Sequence, residues 1–323
     1  MKTIEATYRI VTPMFCAGAD QRRPELRLPS FKGALRFWWR SLAWRRGVRD
    51  PHELWKAEAE LFGSSGEKGR SRIILRSVHP QPGTHVGTQR AFRVNTWQAY
   101  AGFGITGSKS RRERGYIEAG TRWTIQLLDA GLPAGEVQQI RAALVALGLL
   151  GGLGARSRKG WGSLTLIRLV DRTENEGSEA EWHAPRTRDE LQLALERLFS
   201  VEGGTTELPQ WTAVSSRAAF AIGPSQESAE DAHRYLVERY RDAVKSITER
   251  DRHERESFGL PRANAGSNGK KRRASPVFLH VHQVEDGEAI PVAAVLPADF
   301  LPRQPEPAGG WRHLEDFLSS VAG

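Results

Sequence analysis

The stretch Leu28-Pro29-Ser30-Phe31-Lys32-Gly33-Ala34-Leu35-Arg36-Phe37-Trp38-Trp39-Arg40 constrains this chain more than any other. Read as a helix opening at Ser30, it sorts its residues onto two faces. Phe31, Leu35, Trp38 and Leu42 fall on one stripe at i, i+4, i+7 and i+11, the spacing of a buried side. Lys32, Arg36 and Arg40 line an adjacent stripe, with Trp39 between the two. Pro29 fixes the entry, and Ser30 is expected to cap the first exposed amides. A core-anchored helix with a row of cations beside an indole suits a polyanion with flat bases. The same spacing also describes an ordinary amphipathic helix with a solvated basic side.

Charge favours the first of these. Residues 1–170 hold 28 Lys and Arg against 12 Asp and Glu, whereas residues 171–323 hold 19 against 26. A sign change that large between halves points to different partners: phosphate for the first half, protein or solvent for the second. Arg outnumbers Lys, which favours bidentate phosphate contacts and stacking on bases. The chain of 323 residues has room for one large domain or two small ones. Its mean hydropathy of −0.50 and the lack of a long apolar run or an apolar leader imply a soluble cytoplasmic protein without a membrane span. A single cysteine, Cys16, excludes an internal disulfide or a cysteine-based zinc site and fits a core role.

Two blocks emerge along the chain. In the first, strands are expected at Thr3–Met14, Arg72–Val78, Thr121–Leu128 and Trp161–Val170. Helices are expected at Ser30–Leu42, around Glu53–Leu61, and over Val137, Ile140, Leu144 and Leu147. Residues 79–117 give no periodic pattern and read as a long functional or mobile loop. The order β-α-β-β-α-β is the ferredoxin-like arrangement, an antiparallel sheet with helices on one side. Residues 171–185 read as a linker, which divides the chain into units 1–172 and 173–323. The second block opens with a capping box at Thr187-Arg188-Asp189-Glu190. Strands Trp211–Ile222, Val277–Val284 and Pro291–Leu296 and helices Ala232–Ile247 and Trp311–Val321 follow, with a charged stretch over Arg250–Arg273. The whole is α+β, with a second, degenerate ferredoxin-like unit.

Ahead of the fourth strand lies Gly151-Gly152-Leu153-Gly154-Ala155-Arg156-Ser157-Arg158-Lys159-Gly160-Trp161-Gly162. Its glycines would let the backbone approach a ligand and expose amides as an anion nest. Arg156, Arg158 and Lys159 add cations at the same place, so contact with a nucleic-acid backbone is favoured over a merely flexible connection. Lys32, Arg36 and Arg40 are expected to join Arg156, Arg158 and Lys159 in one basic cleft, with Ser30, Gly154 and Ser157 as further RNA-binding residues. Trp39 is a candidate stacking edge, although burial serves it equally well, and Arg111 and Arg112 would close over the strand.

Other chemistries fit less well. His85 with Arg90, or His79, could serve as base and cation for metal-free RNA cleavage, but histidines on surface loops are usually only solvated. His280 and His282 share one strand face at i, i+2 and could ligate a metal. No third ligand is obviously placed, so an exposed strand face is expected there instead. Gly102-Phe103-Gly104-Ile105-Thr106-Gly107 fits G-x-G-x-x-G but lacks a βαβ setting, and Ser108 before Lys109 spoils a phosphate-loop reading. No cofactor or small-molecule substrate is implied.

Four features carry a resemblance. They are Thr12-Pro13-Met14-Phe15…Gly18-Ala19-Asp20, the double-tryptophan helix, the Gly-rich loop, and Phe258-Gly259-Leu260-Pro261…Arg272-Arg273-Ala274-Ser275-Pro276. With these the chain resembles the RAMP superfamily of CRISPR proteins, and within it the first subunit of type III-B (Cmr) effector complexes. The match spans nearly the whole chain. It departs at Cys16-Ala17 and in 79–117. The resemblance implies a non-catalytic, RNA-binding subunit that holds the 3′ region of guide RNA and its paired target beside other Cmr subunits in antiviral defence. Some RAMP proteins instead process guide precursors as endoribonucleases, and a purely structural assembly subunit would share the fold.

Overall fold

The computed structural model describes residues 2–65, 69–78, 85–105, 113–129, 131–171, 180–201, 207–260, 272–284, 287–299, 307 and 309–323. Alternation in the first strand, β1 (Lys2–Ile10), buries Ile4, Ala6, Tyr8 and Ile10 on one face. It stops short of the expected Met14 because Pro13 has no N–H to donate and Thr12 turns its hydroxyl to the Gly160 carbonyl, 2.6 Å away. Helix α1 (Leu28–Ser41) then lays its apolar stripe on the sheet, with Phe31 edge-on to Tyr8 and to Trp123 at 5.6 Å each. It begins earlier than expected. Arg27, in extended backbone, occupies the N-cap position and no side chain caps the helix, so Ser30 is not the cap.

Helix α2 (Pro51–Phe62) follows, capped by Asp50, which accepts from the His52 amide at 2.8 Å. The remaining elements of this half are β2 (Ile73–Val78), β3 (Val86–Gln89), α3 (Trp97–Ala101), β4 (Arg114–Ile117), β5 (Arg122–Asp129), α4 (Ala134–Leu150) and β6 (Leu164–Asp171). Strand order β2-β5-β1-β6, all antiparallel, with α1 and α4 packed together, is the expected ferredoxin-like arrangement.

Two readings of the sequence are corrected here. The described parts of 79–117 are ordered into β3, α3 and β4, and they bury Trp97, Ala101, Ile105 and Ile117. Elements of four or five residues are too short to show a period. The described end of the expected linker is β7 (Ala180–His183), which extends the sheet beyond β6, and Pro185 behind it is buried.

The later elements are α5 (Arg188–Phe199), β8 (Ala219–Ile222), α6 (Ala229–Ser246), β9 (Val277–Gln283), β10 (Ala289–Val295) and α7 (Gly310–Ala322). Thr187 caps α5 as the capping box predicts, accepting from the Glu190 amide at 3.1 Å. Strands β8, β10 and β9 form a second antiparallel sheet in that order, covered by α6 and α7. Of the strand expected over Trp211–Ile222 only Ala219–Ile222 forms. The earlier residues instead bind α1, through Trp211 Nε1 to the Arg40 carbonyl and the Val214 amide to the Ser41 carbonyl. The cores are shared across the midpoint. Trp38 of α1 packs on Phe278 of β9 at 5.6 Å, and Trp161 lies against His233 of α6 at 4.8 Å.

The Gly-rich loop depends on this packing. Gly162 has φ +64, and a Cβ there would sit 2.1 Å from the Leu153 carbonyl oxygen, whereas Gly120 at φ +89 opens onto empty space. Gly120→Ala should therefore cost only the left-handed backbone penalty, roughly 1 kcal/mol. Gly162→Ala should cost at least about 2 kcal/mol more, as strain and a backbone clash add. Urea unfolding of the two variants measures the difference.

Candidate nucleic-acid interface

The stripe on α1 is less free than its sequence suggests. Glu58 of α2 is 5% exposed and sits between two of its cations, 2.6 Å from Arg36 Nε and 2.5 Å from an Arg40 terminal nitrogen. A buried carboxylate held by two guanidiniums is a structural pairing, and it neutralises part of the row. Arg36 and Arg40 keep about a third of their side-chain surface, 38% and 34%. Lys32 is half-buried, and that burial, reinforced by Arg36, lowers its pKa. Trp39 is a core residue. It is 3% exposed, donates to Gln139 Oε1 at 3.2 Å and meets Phe62 edge-on, so the stacking-edge expectation is corrected. Ser30 is half-buried on the first turn.

The Gly-rich loop does meet α1, but its cations turn inward. The Arg158 guanidinium lies 5.2 Å from the Phe37 ring centroid and 4.6 Å from that of Phe278, and donates to the Ser275 carbonyl at 2.5 Å. Burial pulls its pKa down to about 10, so it stays charged at neutral pH. The Lys159 ammonium is seated 3.2 Å from the Tyr240 ring centroid, and its carbonyl binds His233 Nε2 at 2.7 Å. Arg158 and Lys159 are thus removed from the expected cleft. The glycines serve packing rather than an open nest: a Cβ on Gly154 would sit 2.6 Å from the Phe15 carbonyl oxygen. Arg156 is different. It is exposed at φ +63, in a left-handed turn closed by the Lys159 amide bonding to its carbonyl at 2.8 Å. Ser157 beside it is half-buried and Gly154 exposed. Arg111 and Arg112 lie outside the described residues.

Geometry thus brings the loop against α1 but splits the cations by role. Around the helix, Arg36 and Phe37 are about 100° apart. The Glu58 pairing and the Arg158 stack therefore occupy different flanks. Glu58 escaped the sequence reading, although it leaves a trace there: it takes the middle place of the apolar series Leu54, Glu58, Leu61, where an acid demands a partner. A cleft lined by Phe92, Trp97, Tyr116 and Trp161 was also missed, because these aromatics share no period.

The histidines of the other readings differ in burial and partners. His85 is exposed and Arg90 is paired with Glu113 at 2.9 Å, while His79 lies outside the described residues. The β9 face that holds His280 and His282 is buried rather than exposed. His280 Nδ1 faces the Gly151 carbonyl at 3.0 Å and His282 Nε2 the Pro185 carbonyl at 2.9 Å. No group of three or more potential metal ligands occurs among the described residues. The G-x-G-x-x-G start, Gly102 to Gly104, follows α3 instead of opening a helix.

Desolvation lowers the pKa of His280 to about 3, and those of His282 and His233 to about 4. All three stay neutral in the fold below pH 6.5, where the unfolded chain takes up protons. Their contribution is complete above about pH 6.5 and is lost as pH falls towards 4, at up to about 1.4 kcal/mol per pH unit for each proton. His280→Asn, which can still donate to Gly151, should flatten the pH dependence of unfolding by one such proton between pH 6 and 4. Denaturant titrations across that range check it.

Comparison with known proteins agrees with this fold. Residues 7–165 match the RAMP superfamily. The chain is 28% identical over 276 residues to the CRISPR system Cmr subunit Cmr1-1 of Pyrococcus furiosus, spanning 81% of this chain and 77% of that protein. It is 29% identical over 174 residues to Cmr1-2 of the same organism, spanning 49% of this chain and 92% of the other. The crystal structure of apo Cmr1 from Pyrococcus furiosus superposes with a TM-score of 0.65 at 23% identity, covering 99% of this chain and 97% of that one. A chain of the type III-B Cmr-beta complex bound to cognate target RNA superposes with a TM-score of 0.63 at 10% identity, covering 99% and 98%. Over residues 7–165 the chain thus matches the RAMP superfamily, and over most of its length it is similar to the Cmr subunit Cmr1-1 of Pyrococcus furiosus.

Proposed function

We propose that this chain is a non-catalytic, RNA-binding subunit of a cytoplasmic type III-B effector complex, holding the 3′ region of guide RNA and its paired target beside other Cmr subunits. The observation that carries the reading is its similarity to a Cmr subunit over four fifths of its length. The basic half that contains the RAMP match supports it. We read residues 1–172 and 173–323 as two RAMP-like units. The connectivity β8-α6-β9-β10-α7 with order β8-β10-β9 supports this, being a ferredoxin-like sheet without its fourth strand.

Within this reading Lys32 and Arg156 are the principal phosphate ligands, since neither is held by a carboxylate or an aromatic ring in the contacts described above. Ser30, Gly154 and Ser157 lie beside them, and Arg36 and Arg40 contribute the nitrogens that Glu58 leaves over. Single-stranded phosphates give a salt slope of about 0.7 per contact. Lys32→Ala and Arg156→Ala should each weaken guide-RNA binding and make log K against log salt shallower by about 0.7 or less, with unchanged melting temperatures. Fluorescence anisotropy over a salt series measures this. A folded double variant with wild-type affinity and slope would contradict the reading and favour an assembly subunit that barely touches RNA.

A further inference from the structure

Between the β3-α3-β4 insertion, the chain following β1 and the start of α6 lies a cleft of about 600 Å³. Such a volume is in the range that holds small organic groups. Its floor is aromatic and nearly coplanar in orientation. Phe92 and Trp97 both stack on Trp161, with centroids 5.5 and 6.1 Å away and planes inclined by 27° and 14°, and His233 closes one side edge-on. Trp97, Trp161 and His233 are buried, whereas Phe92 and Tyr116 are half-buried at the opening.

The backbone is shaped for these rings. A Cβ on Gly87 would sit 2.3 Å from the Tyr116 ring, and one on Gly102 would sit 2.3 Å from the Phe92 ring. Gly102, the first glycine of the unexplained G-x-G-x-x-G run, is thus the seat of Phe92. Polar groups sit at the edges: Gln89 and Gln98 line the cleft, and an amide carries both a donor and an acceptor. The Trp161 indole N–H is buried with no hydrogen-bond partner among the described residues, a rare condition for a native polar group. Charge around the mouth is asymmetric. Glu230 stands on the α6 side, while exposed Arg93 lines the insertion side. Arg156 reaches the same segment, its terminal nitrogen 3.2 Å from where a Cβ on Gly104 would be.

We infer that this cleft captures one unpaired nucleobase of single-stranded RNA. The base stacks against Phe92 and Tyr116, its edge faces Gln89 and Gln98, and its phosphates run past Arg93 and Arg156, away from Glu230. The inference rests on the RNA-binding reading above and adds a site that the basic stripe of α1 does not contain. Flat aromatic faces accept any base, so stacking here is tolerant of sequence, with the two amides providing whatever preference exists.

The test uses the full chain and an RNA oligonucleotide carrying a single 2-aminopurine, whose fluorescence falls on stacking, with the fully paired duplex as control. Wild-type protein should quench the single-stranded probe at one or a few label positions and leave the already low duplex signal unchanged. Phe92→Leu keeps an apolar side chain but loses the ring. It should abolish the quenching and weaken single-strand binding about fivefold or more, with duplex affinity unchanged. Phe92→Tyr should restore both, and Tyr116→Leu should repeat the loss independently of Phe92. Wild-type quenching and affinity in folded Phe92→Leu and Tyr116→Leu would overturn the site while leaving RNA binding intact. Quenching relieved by an added aromatic peptide but never by unlabelled RNA would assign the cleft to protein and overturn it equally. Failure of the wild type to bind either probe would overturn the RNA-binding reading itself.

Discussion

The packing of the molecule turns on one half-buried cation. Arg158, from the loop that precedes β6, rests against both Phe37 of α1 and Phe278 of β9, and its guanidinium donates to the Ser275 carbonyl. It therefore touches the first helix of the first block and the first strand of the hairpin in the second. The neighbouring contacts repeat the pattern. Lys159 rests on Tyr240 of α6, His233 binds the Lys159 carbonyl, and His280 of β9 faces the Gly151 carbonyl. A guanidinium over an aromatic face contributes about 0.5–2 kcal/mol, more when water is excluded, and a charge-assisted hydrogen bond adds about 1.5–3 kcal/mol. The Gly-rich loop thus works as the joint between the two sheets, and its glycines are there because neighbouring backbone, or at Gly160 the His233 ring, already occupies the places of their Cβ atoms.

This changes how the charge of the first half is understood. Its excess of basic residues is real, yet much of it is spent inside the protein. Arg36 and Arg40 hold Glu58, Arg72 holds Glu136, and Arg27 and Arg45 bind the carbonyls of Ala17 and Leu198. Guanidiniums suit such work because a planar fork satisfies carboxylates and carbonyls while its faces lie on rings. The cations left for a polyanion are fewer: Lys32 on α1, Arg93 at the aromatic cleft, and Arg156, which reaches Gly104 of the insertion.

Legibility in the sequence follows the length of each pattern. Helices α1, α4 and α6 span several turns, and their apolar stripes declared them, as did the alternation in β1 and the capping box before α5. The β-α-β-β-α-β order, and with it the strand arrangement, followed from those. Elements of four or five residues, such as β3, α3 and β4, had no room for a period and read as loop. The β7 strand was hidden by the acidic composition of 171–185, which carries no signal of its hydrogen bonds to β6. At the site, residue types were legible but partners were not. Trp39 and Arg158 look alike on paper as RNA-facing groups, and both turn inward because Gln139, Phe62, Phe37 and Phe278 come from distant parts of the chain. His280 and His282 were placed correctly on one strand face, but burial of that face is a tertiary fact.

The most direct test of the joint is the stability of Arg158→Met set beside its RNA affinity. Methionine keeps an apolar stem against the two phenylalanines but leaves the Ser275 carbonyl without its donor. Denaturant unfolding should show a loss of about 2–4 kcal/mol. Under conditions where the variant is still folded, the slope of guide-RNA affinity against salt should match that of the wild type. Wild-type stability together with a shallower salt slope would contradict the account, placing Arg158 on phosphate rather than between the sheets.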